Sequence, residues 1–255
     1  MNNLTNVFWF GKNGTIVQLD EILATEQDAP VVPPVDPDVI GGRKYKTAKV
    51  GDQVWLAENL DFRWDGLIIG ETPYSKKLDG LQQAAVYYDN DETTYGINGN
   101  RYGLLYNFAA VKYLNDHKDI LIPGWHVPTS DELKQLSDFV IEDAKSENPS
   151  GFNTYFAGRR LYALEGWTYS ATIGPPPLTS APMDSYGFAA VPSGMNTGGG
   201  TFDCVGMHCW LWSSSQADDE HGASAYMQAG FFVPCIFNSS DAAVSRQYAV
   251  RLVKD

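Results

Sequence analysis

The spacing of apolar and polar positions changes several times along the chain, and each change marks an expected element. Leu4–Phe10 and Thr15–Leu19 are short apolar runs around Gly11-Lys12-Asn13-Gly14, which predicts a two-stranded hairpin. A hairpin of that size cannot bury Phe8, Trp9 and Phe10 on its own, so it is expected to dock on another protein or to oligomerise. Pro30, Pro33, Pro34 and Pro37 make residues 29–42 an extended, semi-stiff linker. Lys44–Val50 and Gln53–Ala57 read as strands joined at Gly51-Asp52. One helix is well marked: Thr129 and Glu132 form a capping box, and Leu133, Leu136, Phe139, Val140 and Ala144 fall on one face. A second helix is expected over Leu104–Leu114, and Tyr248–Val253 alternates as a strand that would close the fold beside its start. Gly174-Pro175-Pro176-Pro177 is expected as a surface loop. Together these elements predict an α+β domain over 43–255, with two helices and short twisted antiparallel strands, behind a small β-hairpin at 1–28.

Composition narrows the function. Apolar residues make up 44% of the 255 positions and charged ones 19%, enough for a sizeable core. With 18 basic against 31 acidic side chains the net charge is −13, and no Lys/Arg run offsets it. Such a surface repels phosphate backbones, so nucleic acid is not expected as a partner. No apolar run is long enough to span a bilayer, and Met1–Thr5 carries neither the basic start nor the apolar stretch of a signal peptide, so neither membrane insertion nor export by that route is expected.

The residues that carry chemistry are few. Cys204, Cys209 and Cys235 cannot all pair. Together with His208 they contain the donor types zinc prefers, but their spacing matches no familiar finger, and no metal is expected. His126 has no nucleophile beside it in sequence and is expected to be structural, while His117 and His221 are expected to be solvated. Asp89-Asn90-Asp91-Glu92-Thr93 resembles the start of a calcium loop, yet Thr94 and Asn100 stand where such a loop needs glycine and glutamate. No cofactor is expected. Trp55, Trp125 and Trp212 lie in apolar contexts and are expected to anchor a core.

Four segments, in order, carry a family likeness: Val50–Leu60 (VGDQVWLAENL), Tyr102–Ala110 (YGLLYNFAA), Gly124–Leu133 (GWHVPTSDEL), and Trp212–Ser215 with Val250–Asp255. They resemble the Fibrobacter succinogenes major paralogous domain over about residues 43–255. The resemblance implies the C-type-lectin-like fold of the formylglycine-generating enzymes. Those enzymes use two cysteines five positions apart, the spacing of Cys204 and Cys209. There the pair follows the segment that Trp210–Ser214 resembles, whereas here it precedes it, so no catalytic residue and no enzyme activity are expected.

Residues 229–246 contain no Lys, Glu, Gln, Met or Trp, the types that codons ending in C or T cannot encode. Adenine-directed mutagenesis of Asn codons by a diversity-generating retroelement leaves that residue set, and proteins resembling this family are among its targets. The expected ligand-binding residues are His208, Trp210, Tyr226, Phe231, Phe232, Phe237 and Asn238, with aromatic rings as rigid contact groups. The resulting expectation is a receptor-binding protein of a phage tail or fibre that binds a bacterial surface protein or glycan. It would contact other virion tail proteins through its N-terminal segment and assemble as a homo-oligomer, a trimer being favoured. A bacterial cell-surface or secreted adhesin of the same fold, and a formylglycine-generating-type oxidase, are the alternatives.

Overall fold

In the computed structural model, residues 39–96, 98, 101–121, 123–147, 149, 157–168, 183–228 and 242–255 are described in full, and 8–10, 16–18 and 237–241 by their backbone alone. The chain divides into two compact units, Met1–Asp36 and Pro37–Asp255. In the first, β1 (Phe8–Phe10) and β2 (Ile16–Gln18) pair antiparallel with Trp9 opposite Val17, as the sequence leads one to expect.

The second unit opens with the hairpin β3 (Val39–Ile40) and β4 (Arg43–Lys44), followed by β5 (Thr47–Val50), β6 (Gln53–Leu56), β7 (Ile68–Ile69) and β8 (Ala84–Val86). Next come α1 (Glu92–Tyr95), β9 (Leu105–Asn107), α2 (Phe108–Asp116), β10 (Trp125–His126) and α3 (Ser130–Glu147). The last part is β11 (Ser193–Asn196), β12 (Phe202–Val205), β13 (His208–Gln216), β14 (His221–Gln228), β15 (Phe237–Ala243), β16 (Gln247–Ala249) and β17 (Val253–Lys254). This is a mixed α+β architecture. The linker expected over 29–42 ends earlier than that: Ile40 is already packed into the core of the second unit.

A nine-stranded sheet runs in the order β15-β14-β13-β11-β16-β9-β8-β7, with β12 paired to β11, and a four-stranded one runs β10-β17-β6-β5. Both faces of the large sheet are buried. Tyr106, Trp212 and Tyr248 pack with Phe108, Val111 and Leu114 of α2 in one cluster. Their sequence neighbours Leu105, Leu211 and Ala249 pack with Leu133, Leu136 and Val140 of α3 in the other. The period of two in a strand sends alternate side chains to the two layers, so apolar residues stand side by side in these strands. The three expected anchors, Trp55, Trp125 and Trp212, are all sealed, Trp55 in the α3 layer and the other two in the α2 layer.

The capping box forms as expected: the Thr129 amide donates to Glu132 Oε2 at 2.7 Å, and the Glu132 amide donates to Thr129 Oγ1 at 3.3 Å. Phe139, expected on the buried face, is instead 38% exposed; it covers Gly51 of the β5–β6 turn, where φ is +60° and a Cβ would sit 2.8 Å from its ring. The second helix starts later than expected. Leu105–Asn107 is strand, and Asn107 switches the chain to helix, its Oδ1 accepting the amides of Ala110 and, across the sheet, Ala84. The third helix, α1, was not anticipated; Asp91 of the calcium-like run caps it by accepting the Thr94 amide.

The expected final strand Tyr248–Val253 is two strands in two sheets. β16 pairs with β9, and β17 lies between β10 and β6, with Val253 opposite Trp55. Arg251 lies between them, fully buried, which breaks the alternation. Its Nε donates to Asn59 Oδ1 at 3.0 Å, Nη2 donates to the Ala189 carbonyl at 2.9 Å, and Nη1 donates to the Phe188 carbonyl. The guanidinium also lies 4.4 Å from the centre of the Phe188 ring. Burial lowers its pKa to about 10, so it stays charged at neutral pH, with the hydrogen bonds going to neutral acceptors and Asp184 and Glu58 favouring the charge from a distance.

The chain end is fixed by His126, whose Nε2 faces Glu132 Oε1 at 2.8 Å and whose Nδ1 faces Asp255 Oδ1 at 2.5 Å. This is the structural histidine the sequence suggested. Burial raises the Glu132 pKa, but the Thr129 and His126 hydrogen bonds outweigh it and hold the carboxyl below its ordinary 4.5.

Two outcomes are expected. Arg251→Met leaves Asn59 Oδ1 and two carbonyls unpaired in the core and costs about 3 kcal/mol or more in urea unfolding. Glu132 has a depressed folded pKa, so the stability it adds is complete above 4.5 and drains as pH falls through the lower folded value. The advantage of the parent over Glu132→Gln, read from urea melts, therefore shrinks as pH falls below that point.

Candidate functional site

On β13 the period of two puts His208, Trp210 and Trp212 on one face and Cys209 and Leu211 on the other. Antiparallel pairing brings Tyr226 of β14 opposite Trp210, and Phe237 of β15 opposite Tyr226. The rings continue one another outward from the core. Phe108 and Trp212 lie 5.1 Å apart, Trp212 and Tyr248 4.5 Å, Tyr248 and Trp210 5.0 Å, and Trp210 and Tyr226 4.3 Å. His208 completes the series, 5.9 Å from both Trp210 and Tyr226. Burial falls along it: Trp212 and Tyr248 are sealed, and Trp210, Tyr226 and His208 are half-buried. The Trp212 indole donates to the Tyr106 carbonyl at 2.6 Å, which fixes the inner end. At the outer end the Trp210 Nε1 and His208 Nδ1 atoms are buried and have no hydrogen-bond partner. Burial lowers the His208 pKa, with Asp203 opposing, so the ring is neutral at pH 7.

Three of the expected binding residues, His208, Trp210 and Tyr226, are thus brought into one cluster. Phe237 and Asn238 occupy β15 positions opposite Tyr226 and the buried Ala225, and Phe231 and Phe232 lie outside the described residues. The stretch 229–246 is not surface throughout: Ala242 and Val244 are core residues, and Ser245 is buried. Tyr248 links the cluster to the core and was missed as a site residue. Its alternation was visible in the sequence, but its ring partners come from a strand far along the chain.

Residues 48–254 match the model of the Fibrobacter succinogenes major domain. The chain belongs to that family. No curated protein and no solved structure matches it.

Within this Fibrobacter major domain the other candidate chemistry separates. Cys209 and His208 are neighbours in one strand and point to opposite faces, so they cannot converge on one metal ion. Burial pushes the Cys209 thiol up to about 12, and burial with Asp203 pushes Cys204 to about 11, so both stay protonated at neutral pH. Cys235 lies outside the described residues, which contain no group of three or more His, Cys, Asp or Glu placed to hold a metal ion. His117 is exposed and stacked on Tyr113 at 4.0 Å, and His221 is hydrogen-bonded to Asp218 at 2.9 Å. No helix among the described residues is long and apolar enough to cross a membrane.

Alkylation tests the thiol assignment. Iodoacetamide followed by peptide mass spectrometry should leave Cys209 unmodified in the folded chain. Cys204 should react slowly at neutral pH and faster as the pH approaches 11. Rapid modification of Cys209 at neutral pH would reverse this reading.

Proposed function

We propose that the chain is a non-enzymatic ligand-binding protein whose main domain has a C-type-lectin-like fold and serves host adhesion in a phage tail or fibre. The ligand is a bacterial surface protein or glycan. The observation that carries this is the aromatic series on β13, β14 and β16, rooted at Trp212 and ending half-exposed at Trp210, Tyr226 and His208. Rings held on both sides by other rings lose little entropy when a ligand arrives, the property that favours aromatic contact residues. The residue set of 229–246, which begins one residue past β14 and includes Phe237 opposite Tyr226, adds a route to variation at this same edge.

The fold reading draws support from the closure of the chain, with β17 beside β6, and from two helices on opposite faces of a mixed sheet. The position of Cys204 and Cys209 before Trp210–Ser214, and not after it, supports a reading without oxidase function. The N-terminal hairpin, with its run of aromatic residues, is assigned to docking on other tail proteins or to assembling a trimer, in which weak contacts add through avidity.

Flow cytometry with labelled full-length chain on a panel of bacterial strains tests the proposal. Saturable binding is expected, and His208→Ala and Tyr226→Ala should each weaken it by about 2 kcal/mol, roughly thirtyfold, with unchanged thermal melting. Absence of binding across strains, or binding indifferent to both substitutions, would overturn it; a monomeric mass by light scattering would remove the trimer.

A further inference from the structure

We propose a second ligand site, sharing no lining residue with the aromatic series, that takes a compact zwitterion: a free amino acid or a short peptide. A cavity of about 500 Å³ lies between two walls of the main domain, a size suited to a small molecule. Lys46, Glu58, Arg101 and Tyr102 belong to the first wall, Glu165 and Asp184 to the second, and Arg251 lies beneath. The hydrogen bonds of Arg251 run to Asn59 on the first wall and to the Phe188 and Ala189 carbonyls on the second. Because it is sealed from solvent, Arg251 does not touch a ligand; it fixes the spacing of the walls. The walls meet at Gly166, where φ is +91° and a Cβ would sit 3.1 Å from Tyr102 Oη.

The charges on these walls divide into tied and untied. Glu58 is paired with Arg43 at 3.2 Å and accepts the Lys46 amide at 3.0 Å. Asp184 Oδ1 accepts the Ala189 amide at 2.7 Å. Among the described residues, the Lys46 ammonium, the Arg101 guanidinium and the Glu165 carboxylate have no ion pair or side-chain hydrogen bond. The untied cations are therefore on one wall and the untied carboxylate on the other, and no ion pair closes the gap between them.

A simple anion entering this cavity meets Glu165, and a simple cation meets Lys46 and Arg101. A molecule with a carboxylate at one end and an ammonium at the other satisfies both walls at once, by charge-assisted hydrogen bonds on each side. Arg101, Asp184 and Ala189 hold left-handed backbone conformations, at φ of +60°, +49° and +51°, which non-glycine residues adopt only when their surroundings impose them. That geometry is in place before any ligand arrives.

Isothermal titration calorimetry on the full chain, with L-leucine and L-alanyl-L-alanine as probes, tests the assignment. At least one of the two should bind, and N-acetylation or C-terminal amidation of that probe should weaken binding about tenfold or more. Glu165→Gln and Arg101→Asn, the latter chosen because asparagine tolerates the left-handed backbone, should each cause a similar loss while cell binding is unchanged. Capped probes that bind as well as the zwitterion, variants that bind like the parent, or no heat with either probe would each overturn it.

Discussion

The fixed point of this domain is the tilted ring pair of Trp212 and Tyr248, held by the indole N–H on the Tyr106 carbonyl. It lies where β13, β16 and β9 adjoin, so it sets the relative position of three strands that are distant in sequence. Residues on the outer side of that pair inherit its rigidity. Trp210 gains its orientation from Tyr248 beneath it and from Tyr226 beside it, and only beyond those rings does the surface begin.

A second constraint acts three residues further along the chain. The chain leaves the large sheet at Ala249 and enters the small one at Val253. Arg251 sits at that crossing and reaches the loops of Asn59 and of Phe188–Ala189. Burying a cation there is costly, and the domain offsets it with three hydrogen bonds, an aromatic face and the fields of Asp184 and Glu58. The His126 bridge to Glu132 and Asp255 then ties the end of the chain to the start of α3.

Much of the frame was legible from local pattern. The Thr129 capping box, the turn at Gly51 and the three tryptophan anchors depend on neighbours within a few residues or on bulk apolarity, and the structure has all of them. What was not legible depends on distant partners. Leu104–Tyr106 is an apolar run that fits strand or helix equally, and only the pairing of β9 with β16 and β8 decides it. Arg251 falls inside the run expected as one strand, and its acceptors at Asn59, Phe188 and Ala189 are distant in sequence. At the aromatic cluster, residue types gave His208, Trp210 and Tyr226, while the intervening role of Tyr248 required the sheet order.

Ala242 and Val244 are core residues only a few positions after Phe237. Any process that rewrote codons evenly across 229–246 would place charges or bulky rings at these two sites in a share of its products. Those chains would be discarded as misfolded before they met a target. The useful repertoire of such a library is therefore set upstream of Ala242, and its yield of folded members depends on how sharply the rewriting stops there.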